Sequence, residues 1–223
     1  MEKIEIESKN NISKINSPET KKEKPKTKMY DDEICLYYIL ANISFATGTF
    51  LLGLPIFYDY NPKMLSIFGF FLPGWGQIIA AIMAYKFKNY NNGNVFFFFG
   101  LSWFINACYD FFPEWGWMEP LNDIDYAIYN LMCTLFVLIF FVQSLFDISY
   151  LNKISNFFIL GGFIFSTIGN FASNKGLKKC AGIFNIITSF IAYYNGFANV
   201  INSKRNRITF PLFDGKTIGQ KIN

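Results

Sequence analysis

The chain of 223 residues is 52% hydrophobic and 20% aromatic, and only 16% of its residues are charged. Soluble globular proteins carry about 25% charged residues, so this composition excludes an ordinary soluble domain and indicates lipid as the main solvent. The net charge of +4 does not indicate nucleic-acid binding, because the basic residues flank apolar runs, which is a membrane-topology pattern.

Metal and cofactor chemistry is not expected from the residue types present. The chain has no histidine, and its four cysteines lie far apart without a CxxC spacing, which argues against a zinc site. We find no GxSxG, HExxH or Walker A spacing. We therefore expect no metal, no cofactor and no enzymatic activity.

Residues 1–30 are rich in Lys, Glu, Asn and Ser and almost free of aromatic residues. Such a segment cannot bury enough apolar surface to offset the entropy of ordering. We expect a disordered cytosolic tail here, followed by a transmembrane domain over residues 31–203 and a cytosolic tail over residues 204–223.

Six apolar runs follow in chain order. The first begins at Ile34 and continues for about 21 residues without a charge, which is enough to cross roughly 30 Å of hydrocarbon. The other predicted spans are Leu65–Tyr85, Val95–Phe112, Tyr126–Phe146, Ile154–Ala172 and Ala181–Ile201. Short connections make neighbouring spans antiparallel, so the sequence predicts an all-α bundle of six transmembrane helices.

The distribution of basic residues predicts the orientation. With both termini in the cytosol, 16 of the 20 Lys and Arg residues lie on the cytosolic side, as the positive-inside rule requires. The exceptions are Lys63, Lys175, Lys178 and Lys179. The acidic connection after the third span fits the outside.

Polar side chains within the apolar runs are the candidate functional groups. They should face a partner helix or a water-filled path, because an unpaired amide or hydroxyl in hydrocarbon costs several kcal/mol. No carboxylate or lysine lies in the middle of a span, which argues against a tightly wired proton pump. For any single one of them, hydrogen bonding between helices is the favoured interpretation, and a selective pore is the more specific hypothesis. They are Asn42, Ser44, Thr47, Thr49, Gln77, Asn106, Gln143, Asn170, Asn185, Thr188, Ser189 and Asn195.

A family resemblance begins in the second span. FLPGWGQ at 71–77, followed by IIAAIMAYKFKN, resembles the acetate uptake transporter family of bacterial succinate-acetate permeases and fungal acetate and ammonia-export proteins. Counted without gaps from Gln77, the residues Asn89, Gly100 and Trp103 fall on the family's Asn, Gly and Trp.

Further segments extend the resemblance over about residues 36–213. They are SFATGTFLLGL at 44–54, IGNFASN at 168–174, AGIFNIITSFIAYYNGFANV at 181–200 and TFPL at 209–212. The YYNGFA stretch is most similar to the fungal branch.

The resemblance implies a homohexamer in which each protomer has its own pore for acetate or succinate, often described as proton-coupled. The implied pore constriction falls on Phe45, Phe99 and Ile159, where the family's Tyr becomes Phe99 and its Leu becomes Ile159. The implied substrate-binding residues are Gln77, Thr49, Asn170 and Asn174.

Three departures from the family pattern stand out. LYYILAN at 36–42 replaces the family's NPAPLGL, FLPG at 71–74 replaces FYGG and introduces Pro73, and Ala84 replaces a glutamate. Proline inside a helix removes a hydrogen-bond donor, so we expect a kink at Pro73.

The sequence therefore predicts a channel or transporter for small monocarboxylates, chiefly acetate or acetic acid, in the plasma membrane. Its expected partners are the lipid bilayer, the carboxylate substrate and copies of itself. Succinate as substrate, proton coupling, ammonia or ammonium export, and a non-transporting regulator with the same fold remain open alternatives.

Overall fold

The computed structural model describes residues 32–57, 62–147, 149–205 and 209–213. For residues 32–35 and 62–64 it describes the backbone only. The predicted tail over residues 1–30 lies outside these ranges, as does most of the segment 204–223. The α-helices are α1 (Asp32–Gly53), α2 (Pro62–Gly69), α3 (Gly76–Lys86), α4 (Tyr90–Phe111), α5 (Asp123–Leu145), α6 (Tyr150–Phe171) and α7 (Lys175–Arg205).

Helices α2 and α3 form a single span joined by a π-helical segment, Phe70–Trp75. The sequence predicted a kink at Pro73, and the structure places this buried proline inside the π segment. A π turn is rare, occurs mostly as a single turn within an α-helix and is often found at functional sites. The irregularity therefore lies at the residue that cannot donate a backbone hydrogen bond.

The six spans form a closed arrangement. Helix α1 packs against α7 and α3, α7 against α6, α6 against α5, and α3 against α4. Within the described residues, α4 and α5 meet chiefly through long side chains: the Phe98 and Phe136 ring centroids are 4.8 Å apart, and the Tyr129 hydroxyl donates to the Ser102 carbonyl at 3.2 Å. Wide separation of these two backbones leaves room for cavities in the middle of the bundle.

The prediction of an all-α six-helix membrane bundle is confirmed. Four spans combine sufficient length with high mean hydropathy, namely Leu36–Ile56, Leu65–Lys86, Asp123–Leu145 and Tyr150–Phe171. Helices α4 and α7 complete the six. Their first turns are polar, with Asn91 and Asn92 in α4 and Lys175 and Lys178 in α7.

Helices α4 and α7 begin furthest ahead of the apolar runs that predicted them. Helix α4 begins at Tyr90 instead of Val95, and α7 begins at Lys175 instead of Ala181. An asparagine precedes each start and caps it: Asn174 Oδ1 accepts from the Gly176 N–H at 2.8 Å, and Asn89 Oδ1 accepts from the Asn92 N–H at 3.4 Å. Such capping stabilises a helical turn that extends beyond the apolar run.

The tryptophans divide between core and surface. Trp115 and Trp117 are 59% and 69% exposed, which agrees with an interfacial anchoring role. Trp103 is only 5% exposed and lies between two glycines. A Cβ at Gly48 would be 2.6 Å from Trp103 Cζ2, and a Cβ at Gly69 would be 2.4 Å from Trp103 Cε3. Only glycine permits this packing of the indole between α1 and α2.

Candidate functional site

A group of apolar side chains closes the middle of the bundle. The rings of Phe45 on α1 and Phe99 on α4 meet with centroids 4.9 Å apart and an interplanar angle of 57°. Phe99 is 6% exposed, and Ile159 on α6 is 1% exposed in the same cluster. The structure therefore brings together the three residues predicted for the pore constriction, although their role in conduction stays a prediction.

Helix α5 also contributes side chains that pack against Phe99. Val137 is fully buried in the cluster, and the ring of Phe140 lies 6.4 Å from that of Phe99. Phe98 packs beside Phe99 at 5.2 Å. The closure is thus wholly apolar, since the family's tyrosine hydroxyl is absent at Phe99.

A cavity of about 90 Å³ lies on one side of the Phe45 and Phe99 rings. Its charged lining residue is Asp147, and we call it the Asp147 vestibule. Amides and hydroxyls from the N-terminal halves of α1, α4 and α6 and from the end of α5 make up the rest of its polar lining. They are Tyr38, Asn42, Asn92, Gln143, Ser144, Asn152, Ser155 and Asn156.

A larger cavity of about 260 Å³ lies on the other side of the same two rings. Its charged lining residue is Lys178, and we call it the Lys178 vestibule. Ile159 also contributes to its wall. The polar lining is Thr49, Ser102, Asn106, Tyr129, Asn130, Ser166, Asn170 and Asn185.

Two of the predicted substrate-binding residues lie in the Lys178 vestibule. The Thr49 hydroxyl also donates to the backbone carbonyls of Phe45 at 3.0 Å and Ala46 at 3.2 Å. Asn170 is 8% exposed and lies near the end of α6. Both side chains are thus within the cavity wall.

The other two predicted substrate-binding residues line neither vestibule. Gln77 is fully buried, and neither its Nε2 nor its Oε1 has a hydrogen-bond partner among the described residues. Asn174 is exposed and caps α7, where its Oδ1 also accepts from the Leu177 N–H at 3.1 Å. Gln77 is therefore a buried, unsatisfied amide within α3, and Asn174 has a capping role.

Sequence reasoning missed several lining residues. Tyr38 belongs to the segment that replaces the family's first motif, and its hydroxyl donates to Asn152 Oδ1 at 3.2 Å. Asn195 Nδ2 contacts the Tyr38 hydroxyl at 3.2 Å and Asn42 Oδ1 at 3.3 Å. The altered motif thus supplies polar groups to the Asp147 vestibule.

On the other side, Asn130 and Lys178 were also missed. Asn130 is an amide within an apolar run, which is a signal that the sequence contained. Lys178 lay in a predicted loop and became a lining residue only because α7 begins at Lys175. Ala84, at the family's glutamate position, is fully buried.

Comparison with solved structures gives the same architecture. The structure of the bacterial acetate channel SatP superposes with a TM-score of 0.76 and 24% identity, covering 79% of this chain and 97% of that chain. At this identity the likeness shows a shared fold.

Two curated proteins of Saccharomyces cerevisiae are similar in sequence. Accumulation of dyads protein 2 is 26% identical over 152 residues, which is 64% of this chain and 53% of that protein. Ammonia transport outward protein 2 is 27% identical over 146 residues, 62% of this chain and 50% of that protein. The chain spans about half the length of these curated relatives.

The family model named GPR1/FUN34/yaaH matches residues 27–214, a range that includes every described helix. The resemblance inferred from FLPGWGQ and the last two spans is thereby confirmed, and both yeast relatives agree with its fungal branch. This chain belongs to the GPR1/FUN34/yaaH family.

Proposed function

We propose that this protein is a transmembrane channel or transporter for small monocarboxylates, with acetate or acetic acid as the main substrate. The observation that carries the proposal is the pair of polar vestibules that share Phe45 and Phe99 as a common apolar wall. A solute-conducting path through a bundle needs polar surface on both sides of such a closure.

The chemistry of the vestibules suits a small carboxylate. Amides and hydroxyls can replace part of its hydration shell, and an apolar ring closure excludes water until the solute displaces it. The methyl group of acetate can contact the rings of Phe45 and Phe99. Transport accounts for these features without a catalytic step.

Flux through the purified protein tests the proposal. The protein is reconstituted in proteoliposomes with the pH clamped on both sides, and uptake of labelled acetate, succinate and ammonium is compared with that of protein-free vesicles. We expect saturable acetate uptake that unlabelled acetate inhibits. Absence of flux for all three solutes would instead support the non-transporting regulator.

Ammonia is the second candidate, favoured by the apolar closure. Without a hydroxyl at Phe99, the Phe45, Phe99 and Ile159 closure offers no hydrogen-bond partner, which suits a neutral solute. One of the yeast relatives is named Ammonia transport outward protein 2. Ammonium-dependent flux that exceeds acetate flux at equal gradients would favour this candidate.

For the binding residues, we propose that Thr49 and Asn170 contact the substrate in the Lys178 vestibule. The family resemblance adds Gln77 and Asn174, whose side chains lie outside both cavity walls. The Gln77→Ala variant tests whether Gln77 contributes to substrate binding. Loss of acetate flux in a folded variant would support a substrate-binding role for Gln77. Unchanged flux would restrict binding to the lining residues.

Assembly and location extend the proposal. We place the protein in the plasma membrane as a homohexamer with cytosolic termini and one pore in each protomer, on the basis of the family resemblance and the distribution of basic residues. Native mass spectrometry in mild detergent tests the hexamer, and fluorescence of a tagged chain tests the location.

A further inference from the structure

The two vestibules carry opposite charges. Lys178 is the charged group in the lining of the larger cavity, and Asp147 is its counterpart in the smaller one. Within the described residues, neither lining includes a compensating charge of opposite sign. The Lys178 ammonium therefore attracts an anion and the Asp147 carboxylate repels it.

In the structure, the partner of Lys178 is a carboxylate from outside the cavity wall. Lys178 Nζ lies 2.7 Å from Asp123 Oδ1, and the side chains are 36% and 43% exposed. Water and salt screen such a half-exposed pair, so it is a weak restraint on either partner. Asp123 Oδ2 also accepts from the Ser173 hydroxyl at 2.9 Å. Asp123 therefore keeps a hydrogen-bond donor, the Ser173 hydroxyl, when it separates from the Lys178 ammonium.

We propose that Lys178 is a carboxylate-binding residue, at which the substrate anion displaces Asp123 before it reaches the Phe45 and Phe99 closure. The lining amides Asn130, Asn170 and Asn185 supply further donors in the same cavity. Asp123 pairs with the ammonium of Lys178 when substrate is absent and competes with the substrate anion for that ammonium when substrate arrives. This inference deepens the proposed carboxylate transport and rests on it.

The adjacent lysine provides a matched control. Lys179 is exposed and absent from the cavity lining. Replacing either lysine by methionine removes the same charge from the same turn of α7. An effect confined to Lys178 would therefore arise from the cavity and not from the net charge at this end of the bundle.

The test measures the half-saturating concentration for labelled acetate in proteoliposomes. We expect Lys178→Met to raise the half-saturating concentration about 3- to 10-fold, consistent with loss of one partly screened charge interaction. Lys178→Arg keeps the charge and should raise it less than Lys178→Met does, while Lys179→Met should stay close to wild type. Asp123→Asn removes the competing carboxylate and should lower the half-saturating concentration about 2-fold. The effect of Lys178→Met should shrink at about 1 M salt, where the Debye length is about 3 Å.

Two results would overturn the inference while leaving the proposed transport intact. One is saturable wild-type flux whose half-saturating concentration Lys178→Met leaves unchanged. The other is a shift of equal size at low and high salt, which would indicate a structural defect.

Absence of wild-type flux would defeat the proposed function instead. Line broadening of ¹³C-acetate by the detergent-solubilised protein then tests the site directly, because equal broadening by wild type and Lys178→Met would exclude a role for Lys178.

Discussion

Phe45 and Phe99 are the residues on which the proposed path depends most directly. Their rings are in contact at a centroid distance of 4.9 Å, and both vestibules end on them. Since the closure is apolar, its effect on a solute depends on ring size and on the exclusion of water. Removal of a ring should therefore change the selectivity of the proposed path.

We predict that Phe99→Ala admits larger carboxylates. Loss of the ring opens space between the two vestibules, so the ratio of succinate to acetate uptake should rise at least about 3-fold, which corresponds to at least about 0.6 kcal/mol of discrimination. The control is Phe50→Ala on α1, because Phe50 packs edge-on against Phe190 at 6.5 Å and lines neither cavity. An unchanged ratio in Phe99→Ala with normal expression would remove Phe99 from the closure.

A second residue-level prediction concerns the packing of Trp103. Gly48→Ala places a Cβ within 2.6 Å of the indole, and overpacking of this kind costs about 1 to 3 kcal/mol. We expect the Tm in detergent to fall, and intrinsic fluorescence measures it. Gly176→Ala is the matched control, because its added Cβ meets one atom, Asn174 Oδ1, at 3.1 Å. The smaller ring of Trp103→Phe should restore part of the loss, and a Tm unaffected by Gly48→Ala would contradict the tight packing.

At single positions, sequence predicted apolar contacts better than polar ones. Phe45, Phe99 and Ile159 meet as the family register implied, because large apolar side chains on inward faces have few alternatives to packing together. Asn174 instead caps α7, and Gln77 lies outside both cavities. An asparagine near a helix start can cap it or contact a solute, and residue type alone does not distinguish the two.

At the scale of elements, a buried amide joins the end of α7 to the C-terminal segment, residues 209–213. Asn202 is fully buried. Its Nδ2 donates to the Phe210 carbonyl at 2.8 Å, and its Oδ1 accepts from the backbone N–H groups of Thr209 at 2.7 Å and Phe210 at 2.9 Å. The segment then continues to Phe213, whose carbonyl accepts from the Tyr150 N–H at 3.2 Å. Asn202 thereby ties the C-terminal segment to the end of α7, and the Tyr150 hydrogen bond ties it to the start of α6.

We predict that Asn202→Ala releases this segment. Three hydrogen bonds are lost, and leaving such backbone groups unpaired costs about 1 to 3 kcal/mol each when they stay buried. Amide hydrogen exchange at Thr209 and Phe210 should accelerate, while exchange in the centre of α7 stays slow. Lys204→Ala is the control, because Lys204 is exposed in the same turn. Equal exchange rates in both variants would show that other contacts hold the segment.

Element boundaries illustrate what hydropathy can and cannot predict. Apolar runs located all six spans, because crossing a bilayer requires about 20 apolar residues. They misplaced the starts of α4 and α7, where the asparagine caps extend the helices into polar sequence. The π segment around Pro73 also required the structure, since a proline in a span is compatible with a kink, a break or a π turn.

For the whole molecule, the sequence predicted the number of spans but not their neighbours. Short connections indicated antiparallel pairs, and α5 with α6 and α6 with α7 do pack together. The extensive contact between α1 and α7 joins the two ends of the domain and had no sequence signal. That contact brings α7 beside α1, and the Lys178 vestibule is therefore lined by residues from both ends of the helical domain.

Orientation is the whole-molecule prediction that decides which vestibule faces the cell exterior. The connection between α4 and α5 carries Glu114 and Glu119, both exposed, and the predicted topology puts 16 of the 20 basic residues in segments at the opposite ends of the spans. The Lys178 vestibule opens toward the same end as that connection, because it is lined by the ends of α1, α4 and α6 and the starts of α5 and α7. The positive-inside rule therefore directs Lys178 outward and Asp147 toward the cytosol.

In a variant whose native cysteines are replaced by alanine, Glu119→Cys should react with a membrane-impermeant maleimide in intact cells. Lys3→Cys, in the N-terminal segment, should react only after the membrane is permeabilised. Both positions must label fully in detergent, which controls for reactivity. The reverse pattern would place Asp147 outside and Lys178 in the cytosol. Carboxylate recruitment at Lys178 would then favour export, whereas the predicted orientation makes Lys178 a receptor for external acetate and favours uptake.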